Sequence, residues 1–225
     1  MTTLPHRVIR ALDRFNAAHP WDHNAHYHRW LLRQLPRRFG LALDVGAGSG
    51  DLARLLAARA DQVYGIDSDP AIIARARELT SPQAPVTFTV ADAPTGIPGA
   101  SAGSYDVITC VATLHHLPLS DTLTAFRRLL APGGTLVVVG LSRPQTLADH
   151  VLGTVAAPLN AATGWLKNRG RTSPRPVSMT ARTRPAETGF PDIVRTARGI
   201  LPGARLRRRL FWRYTLVWHH TRGPR

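Results

Sequence analysis

Near the middle of the chain, three glycines and a carboxylate have the types and spacing of a ligand-binding loop. The segment LDVGAGSG ends an apolar stretch and carries Gly46, Gly48 and Gly50 at alternate positions. Glycines allow a tight turn and a close approach of the backbone to a bound molecule. The carboxylate of Asp44, just before them, would orient the loop amides or attract a positively charged ligand. By itself, such a loop is equally compatible with a plain turn.

Two further carboxylates follow the next two apolar segments. Asp67 ends the segment VYGID, and Asp92 follows VTFTVA. A carboxylate at the end of a strand can accept hydrogen bonds from both hydroxyls of a ribose, and another can accept one from an adenine amino group. One such residue alone would suit a helix cap or a loop surface. Three of them after three successive strands, together with the glycine loop, indicate a nucleoside-like ligand.

The spacing within the loop excludes two common phosphate-binding motifs. The dinucleotide fingerprint G-x-G-x-x-G requires a third glycine where Asp51 stands. A P-loop requires Gly-Lys followed by Ser or Thr, and this combination is absent from the segment. A pyrophosphate would also be repelled by Asp44.

The elements that must position these residues alternate between strands and helices. Apolar runs predict strands over residues 41–45, 62–66, 86–90, 105–111 and 135–141. Helical spacing predicts helices over residues 7–19, 24–35, 51–60, 70–79 and 119–130. Uninterrupted apolar strands between helices are typical of a parallel sheet covered on both faces. Ligands of such a sheet bind at the carboxyl ends of its strands.

The pattern weakens in the last third of the chain. Between residues 142 and 200, only Val151–Leu166 suggests an apolar helix, and 168–185 has the composition of a mobile loop. Alternating apolar residues over 204–219 predict strand structure with one apolar face, and a bend near Phe211–Arg213 would fold it into a hairpin.

The positive charge of the 225-residue chain is concentrated in this last third. The formal net charge is +15, of which residues 1–150 contribute +2 and residues 151–225 contribute +13. The arginines expected on the solvent face of the hairpin, outside the ligand motifs, are Arg205, Arg207, Arg209 and Arg213. Because no nucleic-acid motif accompanies them, an RNA or DNA ligand is not favoured, although the charge leaves it open.

Nothing in the sequence favours a metal site, a disulfide or a membrane span. Cys110 is the single cysteine. The histidines at positions 23, 26 and 28 do not share one helical face well, so no metal is expected. The uncharged stretch Val151–Leu166 is short for a membrane span, although it could lie on a bilayer surface. We expect a cytoplasmic protein.

The motifs in the middle of the chain resemble those of class I S-adenosylmethionine-dependent methyltransferases. In the order of that family, they are LDVGAGSG, GIDSDP, VADAP, SYDVITCVATLHHL and FRRLLAPGGTLVVVG. The segments DHNAHYHRWLLRQLP and LPGARLRRRLFWRYTLVWHH also resemble small bacterial members. The resemblance implies an α/β, Rossmann-like sheet that is mostly parallel and has a C-terminal antiparallel hairpin strand.

The resemblance also implies a single methyltransferase domain over residues 1–225. We expect an N-terminal helical cap over 1–38, a cofactor-binding core over 39–141, a lid or substrate insertion over 142–200 and a C-terminal hairpin over 201–220.

The cofactor implied by the resemblance is S-adenosylmethionine. Asp44 and the glycine loop would hold its methionine portion, Asp67 its ribose and Asp92 its adenine. The implied cofactor-binding residues are Asp44, Gly46, Ala47, Gly48, Gly50, Asp67, Ser68, Asp92, Ala93 and Val111. A sulfonium cation without phosphate suits a pocket with several carboxylates.

The acceptor of the methyl group is less well defined by the sequence. His115 or His116 could serve as general base, and Tyr27 or His28 on a helical flap could contact cofactor or substrate, or only pack the helix. We expect transfer to oxygen, nitrogen or carbon of a small molecule. The alternatives are an RNA methyltransferase, and a catalytically silent cofactor-binding protein or partner subunit.

Overall fold

The computed structural model describes residues 6–98, 101–179 and 184–221. Its strands are β1 Phe39–Val45, β2 Ala60–Asp67, β3 Val86–Val90, β4 Tyr105–Val111, β5 Leu130–Leu141, β6 Arg205–Arg209 and β7 Arg213–His219. Its α-helices are α1 His6–Ala18, α2 His23–Leu32, α3 Asp51–Ala57, α4 Pro70–Glu78, α5 Leu119–Leu129, α6 Leu147–Lys167 and α7 Phe190–Ile200. Short 3₁₀ helices cover Leu114–His116 and Val177–Met179.

The strands form one sheet in the order β3-β2-β1-β4-β5-β7-β6. The first five are parallel, and β7 lies antiparallel between β5 and β6. The predicted fold class is therefore confirmed. Strands β2 and β3 are added on one side of β1. The chain then crosses back, and β4 is added on the other side of β1. This reversal creates the crevice at which open α/β sheets bind ligands.

Helices cover both faces of the sheet. On one face, buried side chains of α5 and α7, such as Phe126 and Ile193, pack with Ile108 and Leu136 of the sheet. On the other face, α2, α3 and α4 contribute the core residues Leu31, Leu56 and Ile73. Each fully buried side chain of this size contributes about 1.5–3 kcal/mol. The two cores hold the strand ends in fixed positions.

Several predicted boundaries change in the structure. The predictions for β3 and β4 match, and Asp69 caps α4 through a hydrogen bond from the Ala71 amide to its Oδ1 atom. Strand β5 begins at Leu130 rather than at residue 135, because the segment APGG continues the strand through a register shift instead of making a turn. Helix α2 ends at Leu32, earlier than predicted.

The segment between residues 142 and 200 is more regular than its sequence indicates. The apolar helix extends to Leu147–Lys167. Helix α7 was not predicted, although its buried positions Phe190, Ile193 and Ala197 have helical spacing, because proline, glycine and two arginines interrupt the apolar pattern of this segment. Among the residues that the structure describes, no helix is long and apolar enough to cross a membrane.

The C-terminal hairpin forms, but its apolar face differs from the prediction. The turn contains Phe211 and Trp212, both with positive φ angles of 57° and 58°. Trp212 is 47% exposed, whereas Phe211, of the opposite parity, is 4% exposed. Strand β7 also buries Thr215 and Val217. The alternation rule fails here because β7 is an internal strand whose two faces are both covered.

Candidate functional site

A cavity of about 800 Å³ lies at the carboxyl ends of the parallel strands. Of the residues predicted to bind the cofactor, it is lined by Asp44, Gly46, Ala47, Gly48, Asp67, Ser68, Asp92, Ala93 and Val111. Of those predicted for the acceptor and its chemistry, it is lined by His28 and His116. Gly50, Tyr27 and His115 do not line it. The structure thus brings most of the sequence-predicted site together.

The glycine loop turns sharply between β1 and α3. The amides of Gly46 and Ala47 both donate to the carbonyl of Ile66, at 2.8 and 2.9 Å. Gly46 has a φ angle of 73°, and a Cβ atom there would lie 1.8 Å from Oγ1 of Thr113. A Cβ atom at Gly48 would meet nothing within 4 Å. The loop is therefore packed tightly against Thr113 at Gly46 and is open at Gly48.

The remaining loop glycine has a packing role. Gly50 precedes α3 with a φ angle of 79°, and a Cβ atom there would lie 2.5 Å from Cζ of Phe88. Its small size lets the helix approach the sheet.

Asp67 connects the loop to the end of β2. Its Oδ2 atom accepts a hydrogen bond from the Gly48 amide, and its Oδ1 atom accepts one from the Asp69 amide, both at 3.1 Å. Each carboxylate oxygen has two lone pairs. The carboxylate is thus fixed in orientation and keeps the capacity to accept hydrogen bonds from hydroxyls in the cavity.

Asp44 is a buried carboxylate with one unpaired oxygen. The side chain is 2% exposed, and its Oδ1 atom accepts a hydrogen bond of 2.7 Å from Oγ1 of Thr109. Its Oδ2 atom has no hydrogen-bond partner among the described residues. Burial raises the pKa of Asp44 to about 7, with the charge of Asp67 adding to the rise and the Thr109 hydrogen bond opposing it. The charge of Asp44 is available to a cationic group in the cavity.

The two candidate bases lie at different depths. His116 lines the cavity, and burial, followed by the charge of Arg184, lowers its pKa, while Asp67 raises it. His115 stands behind it, with the ring centroids 3.9 Å apart. Burial lowers the pKa of His115 to about 4. Both imidazoles are therefore neutral at pH 7, and His116 is the one that faces the cavity.

Helix α2 places one predicted residue on the cavity and turns the other away. Its start is capped by Asp22, whose Oδ1 atom accepts hydrogen bonds from the Asn24 and Ala25 amides. His28 faces the cavity, whereas the Tyr27 hydroxyl donates a hydrogen bond of 2.7 Å to the Leu210 carbonyl. Tyr27 thus holds α2 against the hairpin turn.

The histidines at the start of α2 do not form a metal cluster. Nε2 of His23 lies 2.7 Å from Oδ1 of Asn160, which also accepts a hydrogen bond from Nε1 of Trp21. Within the described ranges, no three His, Cys, Asp or Glu side chains are placed to hold a metal ion.

Two arginines of the cavity were missed by the sequence analysis. Arg213, expected on a solvent face, lines the cavity, as does Arg184. Nη2 of Arg213 donates a hydrogen bond of 3.0 Å to Oδ1 of Asn24. The expectation that Arg213 lies on a solvent face is therefore wrong. The available signal was a single arginine within the aromatic segment FWRYTLVW.

Comparisons with known proteins identify the family. The family model for the methyltransferase domain matches residues 42–134. An uncharacterized methyltransferase of Mycobacterium tuberculosis is 32% identical over 206 residues, which cover 88% of this chain and 96% of that protein. The chain belongs to the class I S-adenosylmethionine-dependent methyltransferases. The resemblance noted from the motifs is confirmed, and so is the enzyme class that it implies.

Other similar proteins are named as O- and N-methyltransferases. The ubiquinone biosynthesis O-methyltransferase of Burkholderia multivorans is 36% identical over 166 residues, covering 68% of this chain and 69% of that enzyme. The structure of the N-methyltransferase NodS from Bradyrhizobium japonicum in complex with S-adenosyl-L-homocysteine has a TM-score of 0.59 at 17% identity, covering 94% of this chain and 97% of NodS. At this identity the similarity shows a shared fold.

The pKa of Asp44 leads to a prediction about the unliganded methyltransferase. Asp44→Asn is expected to raise the free energy of unfolding at pH 8, where the wild type carries a buried carboxylate. Because the pKa rises from an ordinary 3.8 in the unfolded chain to about 7 in the folded one, the wild type gains stability as the pH falls from 8 toward 4. The advantage of the variant should therefore shrink by pH 5, as measured by urea denaturation.

The control for this measurement is Asp61→Asn, which neutralises an exposed carboxylate at the other end of the parallel sheet. A pH dependence that Asp44→Asn shows and Asp61→Asn does not is then specific to the buried position of Asp44. An Asp44→Asn variant whose relative stability is the same at pH 5 and pH 8 would contradict the assignment.

Proposed function

We propose that this methyltransferase binds S-adenosylmethionine in the cavity and transfers its methyl group to a small-molecule acceptor at oxygen, nitrogen or carbon. The observation that carries the proposal is the buried, unpaired Oδ2 atom of Asp44 beside a loop that is open at Gly48. A buried carboxylate without a cationic partner is costly, and a cofactor with an ammonium and a sulfonium group would compensate its charge. The cofactor has no phosphate for the carboxylates to repel.

Each part of the cofactor has a matching group along the edge of the sheet. The methionine portion would lie against Asp44 and the glycine loop, and the ribose hydroxyls would donate to Asp67. The adenine would lie by Asp92, next to Ser68 and Ala93, all of which line the cavity. Val111 at the end of β4 would close the same pocket.

The chain's own residues would bind and orient the acceptor. When bound, the cofactor supplies an electrophilic methyl group on sulfur. His116 would accept the proton that an attacking hydroxyl or amine loses, because its imidazole is neutral at pH 7 and faces the cavity. His115 would support the His116 ring through its contact with it.

The acceptor part of the pocket would be built by the cap and the insertion. Asp22, His23 and Asn24 line the cavity from the N-terminal segment. Ser178, Met179 and Arg184 line it from the segment after α6. This placement supports the division of the single domain into a helical cap over 1–38, a cofactor-binding core over 39–141, a substrate insertion over 142–200 and a hairpin over 201–220.

Transfer of tritium from methyl-labelled S-adenosylmethionine tests the proposed function. The enzyme is incubated with a bacterial small-molecule extract and, separately, with total RNA. We expect label in the small-molecule fraction. Label in the RNA would instead support an RNA methyltransferase, consistent with the exposed arginines of β6. Cofactor binding without transfer in either fraction would indicate a catalytically silent protein.

Asp67→Ala is expected to weaken the binding of S-adenosylhomocysteine by about 1–3 kcal/mol, because hydrogen bonds to a charged group are lost. Isothermal titration calorimetry measures the change. Asp61→Ala removes an exposed carboxylate from the same strand and serves as the matched control. An unchanged affinity in a folded Asp67→Ala variant would remove Asp67 from the cofactor site.

His116→Gln is expected to slow methyl transfer about 100-fold and to leave the affinity for S-adenosylhomocysteine unchanged. Because the pKa of His116 is lowered from 6.5, kcat/KM of the wild type should decline only below pH 6.5. Arg184→Gln removes a nearby positive charge and should move this decline to higher pH.

The parallel variant His115→Gln distinguishes the two histidines. We expect a smaller loss of rate than for His116→Gln, since His115 does not line the cavity. Full turnover by His116→Gln would rule it out as the general base.

A further inference from the structure

Arg213 is a cation in the cavity wall that makes no direct ion pair with a carboxylate among the described residues, although the charge of Asp22 acts on it. Its guanidinium donates to Oδ1 of Asn24 at 3.0 Å and to the carbonyl of Phe211 at 3.3 Å, and both acceptors are neutral. Its Nε atom is buried and has no hydrogen-bond partner among the described residues. The ion pairs found in the described ranges involve other arginines.

The two hydrogen bonds to neutral acceptors hold this guanidinium in place and leave some of its N–H groups without a partner in the described part of the chain. A guanidinium has five N–H groups in a rigid fork, and the two contacts leave others free. Asn24 lies at the start of α2 and Phe211 in the turn before β7, so the fork is held from two elements. A partly buried charge that is held in place without a direct ion pair is suited to bind an anionic ligand.

Arg213 lies on the acceptor side of the cavity. It pairs with Leu141 at the carboxyl end of β5. Three strand spacings separate β7 from β1, the strand that leads into the glycine loop, which corresponds to about 14 Å. The guanidinium instead lies near the candidate bases, since its charge lowers the pKa of His115. Its position points to the molecule that receives the methyl group, rather than to the cofactor.

Arg184 provides a second positive charge beside His116. It lines the same cavity, and its charge lowers the pKa of His116. An anionic acceptor attracted to these two arginines would therefore enter next to the imidazole that faces the cavity. Anchoring a molecule at one end restricts the orientation of the other, which is the main requirement for an in-line transfer.

We propose that Arg213 binds a carboxylate of the acceptor, so that the substrate of this methyltransferase is a small carboxylic acid. This inference rests on the proposed function. The fork of an arginine matches a carboxylate through two parallel hydrogen bonds. A doubly charged phosphate fits less well, because Asp22, Asp44, Asp67 and Asp92 line the same cavity and repel a dianion more strongly than a monoanion.

Binding of three probe molecules tests the carboxylate site directly. Enzyme saturated with S-adenosylhomocysteine is titrated calorimetrically with benzoate, benzamide and phenyl phosphate. We expect benzoate to bind at least tenfold more tightly than benzamide, and more tightly than phenyl phosphate. Arg213→Gln should abolish the preference for benzoate over benzamide, and Arg213→Lys should retain part of it.

The matched control is Arg207→Gln, which removes an exposed arginine of the same hairpin that does not line the cavity. It should bind all three probes as the wild type does. Thermal melting of each variant shows whether it folds, and Arg213→Lys keeps the charge should Arg213→Gln unfold.

Other outcomes would overturn the assignment. Equal binding of benzoate and benzamide, or a benzoate preference that persists in Arg213→Gln, would exclude a carboxylate site at Arg213. Tighter binding of phenyl phosphate would assign a phosphate instead. A tenfold loss of S-adenosylhomocysteine affinity in Arg213→Gln would place the cofactor's own carboxylate there. A wild type that binds no S-adenosylhomocysteine would refute the proposed function itself.

Discussion

Five parallel strands end at the same edge of the sheet, and the positions of most groups in the cavity depend on this alignment. Asp44, Asp67 and Asp92 are far apart in the sequence, but they lie at or just beyond the ends of β1, β2 and β3. The reversal of strand order between β1 and β4 opens the crevice beside them. The buried contacts on both faces hold the strand ends that carry these carboxylates.

Charge divides the cavity along the direction of the sheet. Most of the carboxylates lie at β1, β2 and β3, whereas Arg184 lies in the segment after α6 and Arg213 at the start of β7, with Asp22 as the carboxylate on that side. A cationic cofactor and an anionic acceptor would each find a complementary half. His116 is influenced by both halves, since Arg184 lowers its pKa and Asp67 raises it. Two of the arginines that give the last third of the chain its positive charge, Arg184 and Arg213, therefore line the cavity.

The predictions from sequence succeeded where local pattern and tertiary environment agree. Strands β3 and β4, the Asp69 cap and the glycine loop follow from short-range rules, and nine of the ten predicted cofactor residues line the cavity. Arg213 was missed because the alternation of apolar and polar residues predicts that one face of the strand meets solvent. Both faces of β7 are covered. Tyr27 and His115 point away from the cavity because of how α2 and the loop after β4 pack. No local sequence pattern specifies this packing.

The position of β7 also bears on when the cavity can form during folding. Strand β7, the last strand among the described residues, inserts beside β5, and the hydrogen bond from Arg213 to Asn24 joins residues that are 189 positions apart. Contacts of such sequence separation form late, because a long loop must close before they are made. During synthesis, strands β1 to β5 are all made by residue 141, with β5 as an open edge. The part of the cavity wall that Arg213 contributes cannot be completed until residue 213 has left the ribosome.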